Sequence, residues 1–317
     1  MLRALSTLRS LSVSFNMHGI IAAAFTPFHQ DGRVNLEPIP AYAKYLVNNG
    51  IKNILVGGTT GEFVSLNVEE KKTVLDVWMK EAKALQFKVM VHVGGAPLPY
   101  VLEMAKYAEQ VKVDAILTLP ELYFKPKNAE ELVDYLHVVA NAAPSTPLVY
   151  YNNPGMSGVV VDYPAFYKLA VAKIPTFMGI KADLPTANQL ADLLSDGRKI
   201  YITNHVLAPS VLMGHDSSIA TVSAMFPRLV VDVVEASLAG DLEKARTLQS
   251  KLNVLVNTIA TEGKFPPNCF VPSMKAAMEY VTGIKVGPPR LPQRPIDDEC
   301  KNRIQQKMKL LGYGPQN

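Results

Sequence analysis

Along this chain, short apolar runs alternate with longer stretches in which apolar residues recur every three or four positions. The runs at residues 19–27, 53–57, 88–94, 114–120, 147–152, 176–181, 199–203 and 217–221 predict strands. Residues 36–49, 68–85, 98–111, 129–142, 163–172, 187–194, 208–214 and 228–238 predict helices. The strand runs are short, apolar and separated by helices, the pattern of parallel strands covered on both faces. Glu69 and Glu70 open the second helix and its lysines follow, as the helix dipole favours. Eight strand-then-helix units over about 220 residues predict an α/β fold, a (β/α)8 TIM barrel. An open doubly wound sheet is the alternative. No Gly-x-Gly-x-x-Gly follows the first strand, which disfavours a dinucleotide fold.

The alternation ends at residue 238. Residues 241–259, 270–281 and 297–311 read as helices, and the proline-rich segment 287–295 between the last two cannot continue a helix. The chain therefore divides into a barrel at 18–238 and a C-terminal three-helix extension at 239–317 packed on it. Residues 1–17 stand apart. They carry Arg3, Arg9 and several serines, and the first acidic residue is Asp31. That composition fits a mitochondrial transit peptide or a disordered extension ahead of Met17.

Composition narrows the function. At 48% hydrophobic and 19% charged residues, the chain can bury a large core. The net charge of +4 comes without a long basic run, so a nucleic-acid partner is not expected. No apolar run is long enough for a bilayer. Cys269 and Cys300 form neither a metal spacing nor a disulfide framework, and read as free thiols of a reducing compartment. The six histidines are scattered with no His-x-x-x-His pair, so no metal centre is expected.

In a barrel, chemistry gathers where strands end at their carboxyl edge. The second strand runs into Gly57-Gly58-Thr59-Thr60-Gly61-Glu62, the fifth ends in Tyr151-Asn152-Asn153-Pro154, and the sixth ends at Lys181. A lysine partly withdrawn from water can attack a carbonyl to form a Schiff base, while an ordinary strand-end lysine snorkels into solvent. The glycine-rich loop can cradle a carboxylate with hydroxyls and amides, or its threonines can cap the next helix. Tyr151 can move protons at the site, or be a buried tyrosine whose hydroxyl is satisfied. Tyr150 should point the opposite way by strand alternation.

These motifs, in this order and spacing, resemble the pyruvate-dependent class I aldolase and lyase family, which includes N-acetylneuraminate lyase and dihydrodipicolinate synthase. The resemblance covers roughly residues 18–293. Residues 174–181 and 286–292 most resemble the animal N-acetylneuraminate lyases. The resemblance implies that Lys181 forms a Schiff base with a 2-oxo acid, that Thr59 and Thr60 bind its carboxylate, and that Tyr151 transfers the proton. It implies a substrate-binding role for the positions held by Asp183, Ile202, Asn204, His205 and Thr221, no cofactor, a small-molecule 2-oxo sugar acid as partner, a homotetramer in which Tyr123 reaches a neighbour, and a cytoplasmic location. Mitochondria are the alternative if residues 1–17 are a transit peptide.

Departures from the family pattern bear on the substrate. Dihydrodipicolinate synthases carry an arginine where this chain has Met156, so a dicarboxylate product is not expected. Asn204-His205 replaces an Asp-Glu pair that binds the sugar's hydroxyl tail, and Ala220-Thr221 replaces Gly-Ser. Asp183 stands where sialic acid lyases have Ser or Thr. It can pair with Lys181, act as an extra acid or base, or cap the helix after it, which begins Leu184-Pro185. The expected reaction is cleavage of N-acetylneuraminate to N-acetylmannosamine and pyruvate. The alternatives are a sibling aldolase for another 2-oxo-3-deoxy sugar acid or 4-hydroxy-2-oxo acid, and a non-catalytic 2-oxo-acid-binding descendant.

Overall fold

A computed structural model describes residues 15–194, 197–203, 205–263 and 271–314. Eight parallel strands close into a barrel in sequence order: β1 (Ile20–Ala23), β2 (Asn53–Val56), β3 (Lys88–Gly94), β4 (Ala115–Thr118), β5 (Leu148–Tyr151), β6 (Phe177–Ala182), β7 (Lys199–Ile202) and β8 (Ser218–Ala220). Closure is made by β1 pairing with β8, Ile21 opposite Ile219. Among the described residues, helices follow the strands in turn, two of them after β5: α1 (Ile39–Asn48), α2 (Val68–Leu85), α3 (Leu98–Gln110), α4 (Ala129–Ala142), α5 (Pro154–Ser157), α6 (Tyr163–Lys173), α7 (Leu184–Gln189), α8 (Leu207–Leu212) and α9 (Pro227–Leu238). Then come α10 (Leu242–Glu262), α11 (Val271–Thr282) and α12 (Asp298–Leu310), which pack on one another, with α10 also against α9.

Strand alternation sorts the apolar residues into two layers. Ile21, Leu55, Met90, Leu117, Val149, Tyr201 and Ile219 fill the barrel interior. Ile54, Val91, Ile116, Tyr150 and Ile180 face outward, against the helices, in the larger layer that also holds Trp78 and Phe166. Phe15 and Met17, which the hydrophobic pattern leaves outside the barrel, belong to the inner layer. Met17 is buried, and its carbonyl accepts a 2.5 Å hydrogen bond from Tyr201. The apolar side chains have a place inside the barrel end, so the short segment before β1 folds with it.

Local capping decides where two of these helices begin. The helix after β6 starts at Leu184, not near residue 187, because Asp183 accepts from the Thr186 amide at 3.0 Å and Pro185 suits a first turn. It ends at Gln189 and gives way to a 3-10 turn at Ala191–Leu193. Helix α2 is capped by Asn67, whose side chain and that of Glu70 form a reciprocal capping box. The threonines of the glycine-rich loop are thereby free of any capping duty.

Candidate active site

Lys181 reaches the barrel interior through an irregularity in β6. Phe177 faces outward into the helix layer, and simple alternation would send Lys181 the same way. The β5–β6 register instead steps from Leu148 opposite Phe177 to Val149 opposite Gly179, which inserts one extra residue. Such a bulge reverses the faces beyond it. Ile180 and Ala182 now pack outward, and Lys181 turns in opposite Tyr151 and Tyr201. Gly179 is required here, since a Cβ on it would lie 2.0 Å from the Lys199 carbonyl oxygen.

The ammonium of Lys181 is buried and sits 3.8 Å from the centre of the Tyr151 ring. The Tyr151 hydroxyl lies 3.1 Å from Thr59 Oγ1 and accepts from Asn153 Nδ2 at 3.2 Å. Burial alone would raise the Tyr151 pKa. The charge of Lys181 and hydrogen bonds from Thr59 and Asn153 outweigh it, and the pKa is lowered. Thr60 spans to the other side of the mouth, its hydroxyl 3.0 Å from that of Thr221. The amine, the phenol and the two threonine hydroxyls of one loop thus share one cavity of about 520 Å³ at the carboxyl ends of the strands. An amine and an acidified phenol so placed can form an imine and pass protons to and from its carbon partners.

Asp183 and His205 also line this cavity, as do Met156 and Thr203. The Asp183 carboxylate caps α7 rather than pairing with the neighbouring ammonium. His205 is half-buried, and burial holds its pKa below the usual value. Ile202 is a correction: it packs outward with Ile200 and Ala182 in the helix layer, because alternation along β7 gives the inward positions to Tyr201 and Thr203. Asn204 and Cys269 lie outside the described residues. The extension supplies an apolar wall that the strand-end motifs did not announce. Val256 and Ala260 come from α10, and Val271 and Met274 from α11.

His92 was also missed. It lies on β3 inside the barrel, fully buried, with neither ring nitrogen hydrogen-bonded, its ring edge-on to Tyr151 at 6.2 Å. Its inward position two residues before Gly94 was the available signal.

A lysine on the sixth strand facing a tyrosine on the fifth, inside a closed (β/α)8 barrel, is the arrangement of a carbon–carbon lyase of the class I aldolase type. The chain belongs to the dihydrodipicolinate synthetase family, whose pattern matches residues 16–311. It is 31% identical over 303 residues to the N-acetylneuraminate lyase of Mus musculus, covering 94% of this chain and 93% of that one. The structure of Proteus mirabilis N-acetylneuraminate lyase superposes with a TM-score of 0.85 at 30% identity, covering 94% and 99% of the two chains. A dihydrodipicolinate synthase of Bacillus anthracis superposes at 0.82 with 25% identity, covering 93% and 99%.

Proposed function

We propose that the protein is an N-acetylneuraminate lyase. The observation that carries this reading is the Lys181 ammonium over the Tyr151 ring, with the tyrosine hydroxyl held by Thr59 and Asn153. In the proposed reaction, Lys181 Nζ attacks C2 of the open-chain sugar acid and water leaves, giving a protonated imine. Thr59 and Thr60 hold the C1 carboxylate. Tyr151 takes the proton from the C4 hydroxyl as the C3–C4 bond breaks. The bonding electrons move toward the imine nitrogen, giving an enamine and releasing N-acetylmannosamine. Protonation at C3 and hydrolysis of the imine return pyruvate and free Lys181.

Two features of the cavity support a monocarboxylate sugar acid. Met156 lines it where a second carboxylate would need a cation, and Lys181 is the one cation among the described lining residues. Asp183, Thr203, His205 and Thr221 offer hydrogen-bonding groups to a hydroxylated tail. A sibling aldolase for a shorter 2-oxo acid is the second reading, favoured by the apolar wall of Val256, Ala260, Val271 and Met274. The reading carries with it a homotetramer in the cytoplasm, or in mitochondria if residues 1–17 act as a transit peptide.

Borohydride reduction in the presence of pyruvate, followed by intact-mass and peptide analysis, tests the chemistry. A pyruvyl adduct on Lys181 is expected, and none in Lys181→Ala. No adduct on the wild-type protein at saturating pyruvate ends the aldolase reading. A panel of 2-oxo sugar acids assayed for pyruvate release tests the substrate. Release from short acids and none from N-acetylneuraminate selects the second reading.

A further inference from the structure

The loop that carries Thr59 and Thr60 is fastened from below by a charged pair that the reaction does not use. Lys275 on α11 and Glu62 at the end of the loop form an ion pair with Nζ and Oε1 2.7 Å apart, their side chains 2% and 0% exposed. The Lys275 ammonium also donates to the carbonyls of Thr26 and Pro288, each at 3.0 Å. Thr26 in turn donates from its hydroxyl to the Gly61 carbonyl at 2.6 Å. The other Glu62 oxygen accepts from the Arg290 amide at 2.8 Å and from Gln293 at 3.3 Å.

Glu62 itself has left-handed backbone, with φ of 56°, and its amide closes the turn onto the Thr59 carbonyl at 3.2 Å. A residue with a side chain adopts that conformation when its surroundings impose it. Here the partners of the Glu62 side chain, Lys275, Arg290 and Gln293, all come from the other end of the chain. The helix that bears Lys275 also places Val271 and Met274 on the cavity wall. One ammonium therefore ties the hydroxyl loop and the wall opposite it into one body. A buried ion pair is seldom more stabilising than an apolar pair of the same shape, so stability alone does not account for this one. Geometry does, because its four fixed contacts set where the loop stands.

We propose that the Lys275–Glu62 pair is a positioning device for recognition of the substrate carboxylate, setting the Thr59 and Thr60 hydroxyls relative to Lys181. The proposal rests on the reading that these threonines hold that carboxylate. It assigns the C-terminal extension a part in binding, with the chemical step left to Lys181 and Tyr151.

The test is trapping of the pyruvyl adduct by borohydride across a range of pyruvate concentrations, in wild type, Glu62→Gln, Lys275→Met and the double variant. The double variant leaves no buried charge unpaired, so it stays folded where a single variant fails. The expected result is a half-saturating pyruvate concentration raised tenfold or more in the folded double variant. Adduct yield at saturation is unchanged, and kcat for retro-aldol cleavage stays within about threefold. An unchanged half-saturation in the folded double variant overturns the proposal. A drop in kcat with half-saturation unmoved overturns it also. Absence of adduct in wild type removes the aldolase reading and this proposal with it.

Discussion

At Lys181 and Tyr151 each residue changes what its neighbour can do. The ammonium stabilises the phenolate form of Tyr151, and the phenol ring supplies an electron-rich face to an ammonium that is otherwise short of water. His92 stands behind them and bears on the pH range of the fold. Burial, with Lys71 and Lys181 nearby, pushes its pKa down to about 3. The folded state therefore holds the ring neutral, while the unfolded chain binds a proton below the usual value of about 6.5. The stabilisation is complete above that value and is lost as pH falls toward 3. His92→Leu is expected to lose about 2 kcal/mol less stability than wild type between pH 7 and pH 5, measured by urea unfolding. Parallel losses in the two proteins would mean that His92 is free to protonate in the folded state.

Among the elements, β6 decides whether there is a site at all. Its bulge at Gly179 turns Lys181 from the helix layer into the barrel. An added Cβ would meet the Lys199 carbonyl oxygen at 2.0 Å, and that oxygen belongs to the neighbouring strand and cannot move alone. Gly179→Ala is therefore expected to destabilise the barrel by at least about 3 kcal/mol in chemical denaturation. The folded fraction is expected to lose the trapped pyruvyl adduct, because relief of the clash displaces the strand that aims the lysine. Full adduct formation in a stable Gly179→Ala protein would contradict this account. The neighbouring element α7 shows the opposite economy of means. Asp183 both starts that helix and borders the cavity, so its replacement trades a cap for a change in the substrate's surroundings.

Over the whole molecule, the extension matters more than its position after the barrel suggests. Helices α10 and α11 complete the cavity wall, and Arg290 fixes the segment after α11 to Glu70 through two hydrogen bonds of 2.7 and 2.8 Å. Elsewhere, the loop after β4 displays Tyr123 and Phe124 at 81% and 82% exposure, near Val160 across a shared cleft. Aromatic groups so exposed would lose contact with water at an interface between chains. With the homotetramer proposed above, sedimentation equilibrium should return the mass of four chains. Phe124→Glu should shift the distribution toward smaller species, and a wild-type monomer at micromolar concentration would rule the assembly out.

The hydrophobic pattern by itself determined the order of eight strands and their helices, because parallel strands buried on both faces leave unbroken apolar runs. It also marked Lys181, Tyr151 and the threonine pair, since chemistry in such a barrel gathers at strand ends and these motifs occupy three of them. Tyr150 and Tyr151 follow from alternation as expected. Alternation fails at Lys181, where its inward aim depends on a bulge that forms between two strands and is invisible in either alone. Ile202 was misplaced because position near a strand end does not state which face a residue takes. The cap made by Asp183 was among the readings its local sequence offered, whereas the seat of His92 beside Tyr151 and the Lys275–Glu62 pair were decided only by tertiary structure. Each joins residues far apart in the chain or depends on a backbone path, and no local period in the sequence records such a meeting.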